Sequence, residues 1–202
     1  MSTKTPITLE DNIISLVSYT DLLYLVSTGV IDAKPEHING ASIDITIGDR
    51  ILVEDINMSG SVVDLKEKES LNMKEFTIPE QGYLLLPGEF ILASSAETFN
   101  LPNWLAAEYK LKSSFYYSNR GRTKARSGLQ HLMAGWCDPG NNSKLTLELT
   151  NVTQHHSLLI KPGMKIGQMV FFACKPVPSD QSYAVKGQYN SQETVTANKG
   201  VR

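Results

Sequence analysis

The chain has 202 residues, of which 41% are hydrophobic and 20% charged, with a formal net charge of −2; that is enough for one well-buried core and ordinary for a soluble domain. No run approaches the roughly 18 uninterrupted apolar residues of a membrane-spanning helix, and Met1-Ser2-Thr3-Lys4-Thr5 is polar without an apolar signal region. One cytoplasmic domain is therefore expected, and the net charge by itself speaks for neither a nucleic-acid nor a membrane partner.

In chain order, Ser18-Tyr19-Thr20-Asp21 followed by Leu22, Leu23, Leu25 and Val26 and closed by Gly29 predicts one short helix capped at Ser18. Ile43, Ile45 and Ile47 alternate with Asp44 and Thr46, and Leu145, Leu147 and Leu149 alternate with Thr146, Glu148 and Thr150. Both are strand patterns with one buried face. Pro87-Gly88, Pro139-Gly140 and Pro162-Gly163 punctuate apolar runs such as Tyr83–Leu86 and Met169–Phe172. Many short strands with such turns imply an all-β barrel or sandwich with one or two short helices. From Gln188 the tail is rich in Ser, Thr, Asn and Gln and lacks a core pattern, so it is either disordered or orders over something.

The charge is unevenly spread. Between Tyr109 and Cys137 there is no acid, while Lys110, Lys112, Arg120, Arg122, Lys124 and Arg126 contribute a local charge of +6. An anionic ligand is expected there.

Three sets of residues could carry chemistry. In Lys112-Ser113-Ser114 the ammonium, hydroxyls and backbone N–H groups suit phosphate oxygens, although such triplets also fill ordinary turns. Asp138 immediately precedes the Pro139-Gly140 turn and a strand, where an acid ordinarily initiates the turn. Glu148 lies on the strand face opposite the three leucines; only a cleft would raise its pKa enough to make it a proton shuttle. His37, His131, His155 and His156 do not combine with Cys137 and Cys174 into the His-x-Glu and Pro-Cys-x-x-Cys ligand pattern of zinc deaminases. No zinc is expected, and the two cysteines are expected as reduced small hydrophobes.

Taken together these segments resemble the dCTP deaminase family, within the dCTP deaminase and dUTPase superfamily. The resemblance runs through His37-Ile38-Asn39-Gly40-Ala41-Ser42-Ile43-Asp44, Leu86-Pro87-Gly88-Glu89-Phe90, Lys112-Ser113-Ser114, Asp138-Pro139-Gly140 to Leu147-Glu148 and Asn151, Pro162-Gly163-Met164-Lys165-Ile166-Gly167-Gln168, and Tyr183 with Gly187-Gln188-Tyr189-Asn190-Ser191-Gln192. It implies a distorted β-barrel of the dUTPase type, a homotrimer with active sites at subunit interfaces, and metal-free deamination of dCTP to dUTP and ammonia. Glu148 would activate the water that attacks C4 of cytosine and then protonate the leaving ammonia. Ser113 and the Ala134 carbonyl would hold that water, and Lys112, in place of the family's arginine, would meet the phosphates with Ser114. Asp138 would meet the 3′-hydroxyl, and Thr146 and Leu147 would present backbone groups to the base. Tyr183 and Gln192, with Lys186 and Gln188 as further donors, would close over a triphosphate carrying Mg2+, residues 188–202 forming the closing segment.

The 23 residues between Ser114 and Asp138 exceed the family's usual spacing, and Tyr117 stands where its catalytic arginine is expected. Arg126, beside Ser127-Gly128-Leu129, takes that role in this reading, with Arg120 and Arg122 as competitors. Asn141-Asn142-Ser143 also replaces the aromatic and glycine usual after Asp-Pro-Gly. A bifunctional enzyme that carries dCTP on to dUMP, a plain dUTPase, and a non-catalytic nucleotide- or nucleic-acid-binding module are the alternatives.

Overall fold

The computed structural model describes residues 15–64, 66–67, 71–112, 128–132 and 135–199. Twelve strands are found among them: β1 (Ser15–Leu16), β2 (Ile31–Asp32), β3 (Ile43–Glu54), β4 (Met73–Thr77), β5 (Tyr83–Leu85), β6 (Phe90–Asn100), β7 (Leu105–Leu111), β8 (Leu129–His131), β9 (Trp136–Cys137), β10 (Asn142–Asn151), β11 (Leu158–Ile160) and β12 (Lys165–Ala173). Two short α-helices, α1 (Tyr19–Ser27) and α2 (Tyr183–Lys186), complete the main elements. The expected all-β architecture is what the chain adopts.

The principal sheet runs β8-β10-β6-β3-β12-β7-β9, with β1, β2 and β4 paired beside this path, and β5 pairs separately with β11. Every pairing is antiparallel. Near its two ends the sheet meets itself: the Tyr109 ring on β7 and the His131 ring on β8 lie 4.5 Å apart. The sheet is therefore curled around its core, in which Ile43, Ile45, Ile47, Ile91, Phe99, Leu105, Leu149 and Phe171 are fully buried. Alternation explains which side of each strand faces inward.

Helix α1 forms where the sequence predicts it, and Leu22 and Leu25 are its buried face. Ser18 occupies the N-cap position with extended backbone, but its side chain accepts no capping hydrogen bond, a departure from the expected cap. At the other end Gly29 has φ +75°, the left-handed turn that a glycine takes without a Cβ penalty.

β3 is also more enclosed than its alternation implies. Asp44 and Thr46 are buried along with the isoleucines. Their polar face is covered because it has partners: Thr46 donates its N–H and its hydroxyl to Glu97 at 3.0 and 2.7 Å, and Asp44 is held by lysines. Burial of such groups is tolerable only when they are hydrogen-bonded.

Candidate active site

β10 organises the site. Its leucines face the core, and Lys144, Thr146 and Glu148 share the opposite, half-buried face. Glu148 pairs with Leu92 and Thr150 with Phe90 of β6, so apolar side chains stand beside the carboxylate on the same side of the sheet. Burial there pushes the Glu148 pKa up. The face opens into a cleft of about 430 Å³ whose walls include Phe90, Leu92, Trp136, Thr146, Glu148 and Gln192. This is the setting in which a strand-face glutamate holds its proton more tightly than it would in water and can serve as a proton shuttle.

Among the described residues, the outer edge of β10 has partners at its two ends. β8 pairs with Leu149–Asn151 alone, and the Leu132 N–H donates to the Glu148 carbonyl at 2.9 Å. At the other end Lys144 N–H donates to the Gln192 carbonyl at 2.8 Å. Backbone groups alternate in direction along an antiparallel strand, so the N–H and C=O of Thr146 face the same edge, between those two contacts. Leu147 pairs with Ala93 and buries its side chain in the core.

The closing segment lies along this edge. Asn142 N–H donates to Asn190 Oδ1 and Ser191 N–H to the Asn142 carbonyl, at 2.8 and 2.7 Å. Thr146 Oγ1 donates to Gln192 Oε1 at 3.4 Å, while Gln192 Nε2 is buried without a hydrogen-bond partner. Val195 is buried against Leu52 and Leu92. Of the two expectations for the tail, residues 188–199 therefore follow the second: they order, over β10.

A second cavity, also about 430 Å³, adjoins the first through their shared residues Tyr183 and Tyr189, and is lined by Asp138, Lys186 and Gln188 as well. Asp138 Oδ1 accepts from Trp136 Nε1 at 2.9 Å. Pro139 accepts from the Tyr183 N–H at 3.0 Å, and the Tyr183 hydroxyl accepts from Tyr189 N–H at 3.3 Å. Gly140 makes this approach possible: it has φ +88°, and a Cβ there would lie 2.7 Å from Ser182 Oγ.

Lys112 is placed elsewhere. It follows β7, is not among the residues lining either cavity, and its ammonium donates to Asp44 and, at 3.5 Å, to Asn39. Ser113, Ser114, Arg126 and Ala134 lie outside the described residues, as do Tyr117, Arg120 and Arg122. The chain thus brings Glu148, Thr146, Gln192, Tyr183, Asp138, Lys186 and Gln188 to two adjoining cavities and leaves Lys112 away from both.

Lys144, Trp136 and Tyr189 also line the cleft, and none was given a role of its own in the sequence. For Lys144 the signal was available: it shares the two-residue period of Thr146 and Glu148. Trp136 enters through the two-residue strand β9 and Tyr189 through the folded-back tail, both too short or irregular for a period to announce. Cys137 and Cys174 are free thiols, and no three His, Cys, Asp or Glu side chains converge among the described residues.

Comparison with known proteins identifies the family. The model of the dCTP deaminase-like family matches residues 16–174. A protein of Coprothermobacter proteolyticus named "dCTP deaminase, dUMP-forming" is 35% identical over 192 residues, covering 92% of this chain and 91% of that one. Proteins of the same name from Bifidobacterium longum and Nanoarchaeum equitans are 37% identical over 178 residues and 31% over 180. In fold, the chain is similar to the crystal structure of 2′-deoxycytidine 5′-triphosphate deaminase from Agrobacterium tumefaciens, with a TM-score of 0.61 at 16% identity, over 80% of this chain and about half (49%) of that one.

Proposed function

Because the chain belongs to the dCTP deaminase-like family, we propose that it is an enzyme that deaminates dCTP and hydrolyses the triphosphate as well, releasing dUMP. The sequence alone placed dUTP ahead of dUMP as product; the names of the relatives favour the second. The observation that carries the deaminase reading is Glu148: a carboxylate with a raised pKa, on the wall of a cleft large enough for a nucleoside, beside a strand edge that offers the Thr146 backbone.

In this reading Glu148 takes a proton from water as the water adds to C4 of the cytosine, and returns it to the departing ammonia. Thr146 pairs with the base, and Asp138 meets the sugar from the adjoining cavity. Tyr183, Lys186, Gln188 and Gln192 surround the phosphates. Ser113 and the Ala134 carbonyl hold the water, with Arg126 stabilising the tetrahedral intermediate. Magnesium, if carried on the triphosphate, would supply charge neutralisation there, and Tyr183, Lys186, Gln188 and Gln192 are the residues that would meet the metal-bearing phosphates.

A homotrimer completes the site. Lys112, just past the end of β7, lines neither cavity and its ammonium is turned to Asp44, so in this reading a neighbouring copy brings the Lys112-Ser113-Ser114 stretch to the cleft. Leu84, Leu86, Leu159 and Val152 are exposed apolar residues that such an assembly can cover.

The test is incubation with dCTP, dUTP and dCMP, the products being separated by chromatography. dUMP and pyrophosphate from dCTP, with at most traces of free dUTP, are expected. Accumulating dUTP makes it a monofunctional deaminase; dUMP from dUTP but nothing from dCTP makes it a dUTPase; no product at all leaves a binding module.

A further inference from the structure

We propose that Asp44 is a positioning residue for polyphosphate binding, and that Lys165, which it holds together with Lys112, is a second cation at that subsite. The inference rests on the nucleotide-triphosphate reading above. Asp44 sits on β3 with 4% of its surface exposed. Both of its oxygens are engaged: Oδ1 accepts from Lys112 and, at 2.8 Å, from Asn39 Nδ2, and Oδ2 accepts from Lys165 Nζ at 2.9 Å. Burial alone would raise the Asp44 pKa, yet the hydrogen bonds from Lys112, Lys165 and Asn39 prevail and lower it.

The two lysines come from different strands. Lys112 follows β7 immediately before Ser113-Ser114, and Lys165 opens β12. Their side chains are 22% and 34% exposed, so the ammoniums are anchored by a buried acid yet reach solvent. An ammonium has three donors, and each lysine retains at least one beyond its bonds to Asp44 and Asn39. Two lysines against one carboxylate leave a charge of +1, in line with the basic stretch that continues to Arg126. A lysine on its own is a point charge on a flexible stem; held by a buried carboxylate it meets an anion with less ordering left to do. The chemistry this suits is a chain of phosphates, whose oxygens outnumber what one ammonium can serve.

A purely structural ion triad would stabilise the fold without discriminating among ligands. The experiment is calorimetric titration of tripolyphosphate, dCTP and deoxycytidine into the wild type, Asp44→Asn and Lys165→Met, at low and high salt. Both variants are expected to lose about tenfold or more in affinity for tripolyphosphate and dCTP relative to deoxycytidine, with a smaller salt dependence for Lys165→Met. Should Asp44→Asn fail to fold, Lys165→Met, which leaves Asp44 paired with Lys112, carries the test. Unchanged tripolyphosphate affinity, equal loss for dCTP and deoxycytidine, or a wild type that does not bind tripolyphosphate would each overturn the proposal. A wild type that binds tripolyphosphate but leaves dCTP unaltered would instead sink the deaminase reading alone.

Discussion

The Lys144 N–H donates to the Gln192 carbonyl at 2.8 Å, which ties the C-terminal tail to β10 four residues before Glu148. The tail is therefore a wall of the cleft. Its apolar anchor is Val195, buried against Leu52 and Leu92.

Val195→Asp should undo that anchor, because burying an isolated carboxylate in an apolar contact is unfavourable and the lost valine burial is worth about 1.5–3 kcal/mol. We expect faster chymotryptic cleavage near Tyr189 and a KM for dCTP raised roughly tenfold, with the barrel's thermal transition little changed. An unaltered cleavage rate would mean that the hydrogen bonds to Asn142 and Lys144 hold the segment without Val195.

Glu148→Gln should reduce deamination by about two to four orders of magnitude while dCTP still binds, since the amide keeps the shape and loses the acid–base step. The wild-type rate should also depend on pH in a defined direction. Burial raises the Glu148 pKa, and the base is needed ionised, so kcat/KM falls as the pH drops through that raised value. Burial lowers the His131 pKa to about 4, so that imidazole is neutral at neutral pH. A variant with more than half the wild-type turnover would leave Glu148 as a solvated strand residue.

Glu97 should make the stability of the fold depend on pH. It is buried, with its pKa raised by burial despite the two hydrogen bonds from Thr46. A raised acid pKa means the folded chain holds the proton more tightly than the unfolded one. Its stabilising contribution is present below the unfolded pKa and is lost as the pH rises through the folded value. Glu97→Gln, whose amide still pairs with Thr46 once that hydroxyl turns to accept, should melt about 3 °C above the wild type at pH 8. The gap should close toward pH 4. Thermal melts across that range decide it, and a constant gap would exclude titration of Glu97 as its cause.

Among the arginines between Ser114 and Asp138, Arg126 lies two residues before Gly128-Leu129, where β8 begins. A guanidinium near packed structure can stabilise a transition state better than one in a polar stretch without apolar periodicity. Arg126→Ala should lower kcat by at least about tenfold, roughly 1.4 kcal/mol. Arg120→Ala and Arg122→Ala should mainly weaken dCTP binding, less so as salt screens the charge. A kcat loss confined to Arg120 or Arg122 would assign the catalytic role to one of them.

The sequence by itself determined the elements whose chemistry is local. The leucine alternation of β10 placed Glu148 on a polar face, Leu22 and Leu25 marked the buried side of α1, and Asp138-Pro139-Gly140 marked the turn that carries an acid to a cavity wall. Periodicity and turn chemistry are properties of neighbours in the chain, and they can be read without knowing what packs on them. Only the tertiary structure decided whether those faces were solvated. Glu148 has a raised pKa because β6 brings Leu92 and Phe90 beside it, and Asp44 is buried because Lys112 and Lys165 arrive from two other strands. The polar tail had no core pattern of its own, yet it orders because the outer edge of β10 offers backbone partners and Leu52 and Leu92 receive Val195. Such contacts join residues far apart in the chain, and no local pattern encodes them.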